Sequence, residues 1–229
     1  MRTILTALLA VLLTTPAFAT LVGGTPTTLD QNAAADPWTW THTTVAGENL
    51  LVVACHSTTN TTTFDGITFD SVALSNISTE THATGTSTST IWRLISPNIG
   101  ALTVSVNLSG TNDGGCWARS YSGADTTTPV SGTLTQQSSG TAPSLSVTCP
   151  AGNEAVDIGG TASLRTVTIA QTTLVNSDDG AGQVFGSYAA GAGTTVMSES
   201  WASATAFTHI ATCVVAAGST GRGSPIIFQ

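Results

Sequence analysis

Lysine is missing altogether, and only 8% of the 229 residues carry charge. The five basic residues are all arginines, and thirteen acids leave a net charge of −8. Nucleic-acid recognition needs clustered Lys and Arg to displace counterions, and anionic membranes attract polybasic segments, so neither partner fits this chain. Uncharged polar partners fit better: a neutral polysaccharide or a protein surface. No later apolar run approaches the roughly twenty residues that a spanning helix needs, so the chain is not read as membrane-spanning. Beyond the first twenty residues no ten-residue window has helical periodicity. C-x-x-C, H-x-H, H-E-x-x-H and G-x-S-x-G spacings are all lacking, which removes the commonest signatures of zinc, redox and α/β-hydrolase sites.

What is present begins with an export signal. Arg2 supplies a positive start, Ile4 to Leu13 is apolar, and Ala17-Phe18-Ala19 is a small-x-small cleavage site. Residues 1–19 therefore read as a signal peptide, and the mature product as secreted, periplasmic or extracellular. The four cysteines Cys55, Cys116, Cys149 and Cys213 then predict two disulfides, with three connectivities open.

The rest alternates short β-branched and aromatic runs with Gly, Asn, Asp and Pro. Strands are predicted near 38–45, 49–56, 68–73, 89–95, 102–109, 115–122, 144–148, 154–159, 166–169, 183–189, 194–201 and 208–216. Leu102, Val104, Val106 and Leu108 point one way and Thr103, Ser105, Asn107 and Ser109 the other, the two-residue period of a sheet with one wet face. The unbroken run Leu50-Leu51-Val52-Val53-Ala54-Cys55 predicts a strand covered on both faces. The fold expected is all-β, an antiparallel, jelly-roll-like β-sandwich. It occupies residues 20–217 as a single domain, with a flexible tail over 218–229. In that tail the short apolar segment Pro225-Ile226-Ile227-Phe228-Gln229 could pair with a neighbour's sheet edge and drive self-association.

A resemblance supports that fold. Val45-Ala46-Gly47-Glu48-Asn49-Leu50-Leu51-Val52-Val53, then Ile91-Trp92-Arg93-Leu94-Ile95-Ser96-Pro97, Gly100-Ala101-Leu102-Thr103-Val104-Ser105-Val106 and Tyr121-Ser122-Gly123-Ala124-Asp125 with Thr126-Thr127-Thr128-Pro129-Val130 follow one another. Together they resemble a Thr- and Gly-rich β-sandwich module that recurs in bacterial secreted and phage-associated proteins. The resemblance implies the framework. Those modules share no uniform activity, so it implies no functional residue.

Chemistry is sparsely signalled. The carboxylate pairs Asp65/Asp70 and Asp178/Asp179 sit in turn signals, where Asp bonds its own backbone. His42, His56, His82 and His209 offer ingredients for a Ser–His–Asp site without an arrangement. Polysaccharide lyases on jelly rolls need clustered Tyr, His, Arg and Gln, and only Tyr121 and Tyr188 are available. Calcium is a weak possibility as a cofactor, because oxygen-rich turns over 176–182 or 112–114 could supply part of a shell. The strongest binding feature is aromatic: Trp117, Arg119 and Tyr121 share one strand face, and Trp38, Trp40 and His42 another. Such stripes can stack on sugar rings, although Tyr121, Trp92 and Trp201 read as core. The reading reached is a secreted, non-catalytic binding or surface-interaction module with carbohydrate as a candidate ligand. A structural or assembly subunit is the first alternative and a glycan-active enzyme the second.

Overall fold

A computed structural model describes residues 19–34, 36–58, 63–84, 87–110 and 112–218. The expected signal peptide, save Ala19, and the apolar segment 225–229 lie outside the described residues. All described regular structure is strand, in antiparallel sheets. The first half holds β1 (Val22–Gly23), β2 (Thr27–Ala34), β3 (Trp38–Thr44), β4 (Glu48–Ser57), β5 (Phe64–Phe69), β6 (Val72–Ala73), β7 (Ser75–Thr81), β8 (Thr88–Ile95), β9 (Gly100–Leu108) and β10 (Asn112–Ser122). The second holds β11 (Val130–Gly140), β12 (Ser144–Cys149), β13 (Glu154–Thr161), β14 (Thr168–Ile169), β15 (Thr172–Asp178), β16 (Gln183–Ala190), β17 (Gly193–Ser200) and β18 (Thr205–Val214).

These strands form four layers. An outer sheet β3-β9-β5-β6 covers an inner sheet β10-β4-β8-β7, whose free side of β10 is paired by β1 and β2. A second inner sheet β11-β18-β13-β16-β15 is covered by a second outer sheet β12-β17-β14. The two inner sheets pack face to face. Leu50, Val52, Ala54, Ile91 and Trp117 from one meet Val156, Ile158, Val184 and Ile210 from the other in one core. Leu51, Val53 and Ala118 turn instead to the first outer sheet, onto Trp38, Ile67, Phe69, Val104 and Val106. The unbroken apolar run of β4 is thus explained by burial on both faces, and the alternation of β9 by burial on one.

The all-β sandwich expected is present, built as two sheet-on-sheet units with the same topology. With the two-residue β1 and β6 left out of the count, the first, eighth, third, sixth and fifth strands of each (β2-β10-β4-β8-β7; β11-β18-β13-β16-β15) form the inner sheet. The second, seventh and fourth (β3-β9-β5; β12-β17-β14) form the outer one. This interleaving is the double wrapping of a jelly roll, with its fifth strand added to the inner sheet. The correspondence reaches single residues. The register break between Asn76 and Ser78 on β7 recurs between Thr173 and Val175 on β15. Gly47 and Gly100, at φ 93° and 129°, correspond to Gly152 and Gly193, at φ 89° and 97°. Only glycine adopts such angles without strain. Pairing register and inward-facing phase together align Val53, paired with Ala118, to Asp157, paired with Ala211. Two residues along, Cys116 aligns to His209. In the outer sheets Val106 aligns to Glu199.

The halves also face each other symmetrically. β4 lies on its own counterpart β13, β10 on β16, β8 on β18, β2 on β15 and β7 on β11. That is the contact pattern of a two-fold dimer, built within one chain. The shared middle core joins both halves.

Two further details differ from the sequence reading. The strand expected over 68–73 is broken at Asp70 and Ser71, whose φ values of 50° and 64° make a tight turn between β5 and β6. The strand expected over 166–169 shrinks to Thr168–Ile169. All four cysteines are oxidised, as Cys55–Cys116 and Cys149–Cys213. The first bridge joins directly opposed residues of β4 and β10. The second fastens β12 of the outer sheet to β18 of the inner one.

Candidate functional site

The aromatic stripes expected to meet a ligand face inward. Trp117 is fully buried in the middle core, and its indole N–H donates to the Asp157 carbonyl oxygen at 3.0 Å. Arg119, only 6% exposed, lies 3.1 Å from Glu154 Oε1 and 3.9 Å from the Tyr188 ring centroid. It therefore clamps the two halves together. Burial, chiefly, raises the Glu154 carboxyl above its ordinary range, against the pull of Arg119. Tyr121 is buried and donates to Glu154 Oε1 at 2.8 Å, in keeping with its core reading. Trp38 and His42 are buried in the first sandwich. Half-buried Trp40 packs on the same core and donates to Thr27 Oγ1 at 3.1 Å. The reason is phase: on β3 and β10 these residues occupy the inward positions, and of the six only Trp40 is left half-buried.

The acidic turns behave as local backbone caps. Asp178 Oδ1 accepts from Gly180 N, and Asp179 Oδ1 from Ala181 N and Gly182 N. Burial, reinforced by Asp113 and Asp30, pushes the Asp179 carboxyl up to about 6. In the other turn considered for calcium, Asn112 Nδ2 donates to Ser57 Oγ. Beside β15 lies an open polar groove of about 420 Å³, lined by Arg165, Asn176, Asp178 and Gln183 among others.

One serine–histidine pair does form. His56 Nδ1 lies 2.9 Å from Ser89 Oγ, which lies 2.8 Å from Thr208 Oγ1. All three side chains are fully buried between the halves. Burial alone pushes the His56 imidazole down to about 3, so it is neutral. With no access for a substrate, the trio is an internal hydrogen-bond network.

The most concentrated chemistry is one that the sequence reading did not assemble. Asp157 on β13, His209 on β18 and Glu199 on β17 meet inside the second sandwich, all buried. His209 Nε2 lies 3.2 Å from Asp157 Oδ2 and 3.6 Å from Glu199 Oε2. Asp157 Oδ1 accepts from Ser187 N at 2.5 Å and Ser187 Oγ at 3.0 Å, which orients the carboxyl and leaves Oδ2 for the centre. His209 Nδ1 is buried without a hydrogen-bond partner, and the Glu199 oxygens have none beyond the neighbouring Asp157 carboxyl. Burial first, then the charge of Asp157, pushes the Glu199 carboxyl up to about 11. Phe185, whose ring centroid is 5.7 Å from that of His209, closes one side. Gly159 leaves room for it, since a Cβ there would stand 2.5 Å from the Phe185 ring. Among the described residues this is the one group of three His, Cys, Asp or Glu side chains whose ligand atoms converge within 4.8 Å. A sequence signal existed: Asp157 and Glu199 are carboxyls at the inward phase of otherwise core-forming strands.

Comparison with protein-family models, with curated proteins and with solved structures finds no match.

Proposed function

We propose that the chain is an exported, non-catalytic binding or surface-interaction module that meets a neutral polysaccharide or a protein surface through its two outer sheets. The observation that carries this reading is the make-up of their wet faces. On the first, Thr39, Thr41 and Thr43 of β3 lie across from Ser105, Thr103 and Ala101 of β9. On the second, Ser144, Ser146 and Thr148 of β12 lie across from Ser198, Val196 and Thr194 of β17. Rows of hydroxyls without a charge can exchange hydrogen bonds with a hydroxyl-rich polymer and need strip no ion of its water. Two core-fastening disulfides suit an oxidising compartment, which supports export.

The back-to-back packing favours one further reading, a structural or assembly subunit. The two hydroxyl faces lie on opposite outer layers, so one chain is suited to bridge two surfaces.

Affinity electrophoresis of residues 20–229 through a panel of neutral polysaccharides tests the proposal. Retardation by a polymer is expected, and Thr41→Arg with Thr103→Arg should abolish it while thermal unfolding stays cooperative. No retardation across the panel, with a mass in light scattering that rises with concentration, would move the assignment to assembly. No retardation with a concentration-independent monomer would leave both readings without support.

A further inference from the structure

The geometry points to a divalent metal site inside the second sandwich, with Asp157 Oδ2, Glu199 Oε2 and His209 Nε2 as ligands to a single zinc-sized ion. This site lies within the core and stands apart from the outer faces discussed above.

Three observations carry it. The first is spacing. Zinc takes imidazole nitrogen and carboxylate oxygen at about 2.0–2.2 Å, so neighbouring ligands of a tetrahedron stand roughly 3.3–3.6 Å apart. His209 Nε2 lies 3.2 Å from the Asp157 oxygen and 3.6 Å from the Glu199 oxygen. The second is a buried carboxyl pair. No N–H or hydroxyl donor reaches either oxygen of buried Glu199, whose one hydrogen bond is shared with the Asp157 carboxyl, and two buried carboxyls so close cannot both ionise without a cation between them. An ion between the three groups takes the place of the proton that the two carboxyls share, and two carboxylates balance its double positive charge. Asp157 is already held from behind by Ser187, the outer-sphere support that orients metal-binding carboxylates. The third is the twin half. The same fold puts Val53, Cys116 and Val106 at the corresponding positions, so the architecture itself does not call for polar groups there.

The ligand set narrows the ion. Calcium takes six to eight oxygens, and three side chains including an imidazole suit a first-row ion better. Because all three ligands are sealed from solvent, the ion must enter as the chain folds.

The test is to unfold the full chain with its disulfides intact and refold it with zinc chloride, with manganese chloride or with a chelator. After dialysis, metal is measured by plasma mass spectrometry. About one zinc per chain is expected, with a Tm at least roughly 5 °C above the chelator-refolded protein. X-ray absorption should show a nitrogen and oxygen shell near 2.0–2.2 Å without sulfur. Glu199→Gln and His209→Gln should each cut the load at least fivefold, and the exposed control Asp178→Asn should leave it unchanged. If neither variant folds, the shell and the Tm shift of the unaltered chain decide. Less than about 0.1 ion of either metal per chain, a shell without imidazole, or folded Glu199→Gln and His209→Gln proteins carrying the full load would overturn the assignment.

Discussion

Acid should weaken this protein at His56. The imidazole is fully buried between the two sandwiches, hydrogen-bonded to Ser89 and within 3.4 Å of Thr208, and burial holds it down at about 3. An unfolded chain takes up that proton near pH 6.5, so between pH 6.5 and 3 the unfolded state binds more protons than the native one. The stability tied to neutral His56 is therefore complete above pH 6.5 and is lost as pH falls toward 3. The slope is about 1.4 kcal/mol per pH unit, and the whole window is worth about 5 kcal/mol. A domain's total stability is commonly about 5–15 kcal/mol, so one histidine can dominate the acid limb. Glu154, Asp179 and Glu199 work in the opposite sense: their raised carboxyls hold protons more tightly in the native state and lose stability as pH rises. The informative quantity is therefore a difference. Urea unfolding at 25 °C, followed by tryptophan fluorescence from pH 7.5 to 3.5, should be run on the unaltered chain and on His56→Gln, whose amide can still bond Ser89. The stability gap should be constant above pH 6.5 and then shift in favour of the variant, by about 4 kcal/mol at pH 3.5. Parallel curves across the range would refute the reasoning.

Three other outcomes follow from the same geometry. Both disulfides are buried and close segments separated by 61 and 64 residues, so dithiothreitol should release free thiols only in denaturant, and reduction should then lower stability by about 4 kcal/mol per bridge. Thiol titration with and without urea checks the first point, and thiols that react readily in the native protein would count against such burial. Trp117→Ala should cost about 3–5 kcal/mol in chemical denaturation because it empties the middle core, and a change below about 1 kcal/mol would place that indole elsewhere. Glu199→Val installs the residue type that the first half carries at Val106 but leaves Asp157 buried without the carboxyl that shares its hydrogen bond, so metal-free protein should lose about 3–5 kcal/mol, and an unchanged Tm would mean that the two carboxyls do not depend on each other.

Most strands were legible in the sequence because burial writes itself into composition. β4 and β8 carry apolar runs, while β9 and β12 alternate, and all were expected close to their observed limits. The longer strands that escaped were β2, β7, β11 and β15. Each is an edge of an inner sheet, and each inner sheet is wider than the outer sheet lying on it. Those edges are therefore partly wet on both faces and are written in Thr, Ser, Asn and Gln, as in Ser75-Asn76-Ile77-Ser78-Thr79-Glu80-Thr81, without a period to read. The duplication was hidden for a different reason. Corresponding positions share backbone demands, such as the turn glycines Gly47 and Gly152, but not side chains, as with Cys116 and His209. The candidate site was dispersed by topology. Asp157, Glu199 and His209 come from three strands in two sheets, and only their depth, not their spacing in sequence, sets them apart.

The contrast between the halves gives the buried triad its weight. Both sandwiches fold the same way, yet one fills the three aligned positions with Val53, Cys116 and Val106 and the other with Asp157, His209 and Glu199. Cys116 is tied to Cys55 across the inner sheet. The position aligned with Cys55 is Gly159, so the second half has no room for that bridge and places its disulfide between sheets instead. Removing the covalent tie and adding two buried carboxyls should both weaken the second sandwich, since a buried ion costs several kcal/mol before its partners are counted. The Ser187 bonds to Asp157 offset part of that cost, but the only hydrogen bond of Glu199 is the one it shares with Asp157. A bound divalent ion would replace both losses at once. It would cross-link β13, β18 and β17 as the bridge does β4 and β10, and it would replace the proton that the two carboxyls share in the apo site. On that argument the two halves are fastened by different chemistry at the same place in the fold: a disulfide in the first, a metal in the second.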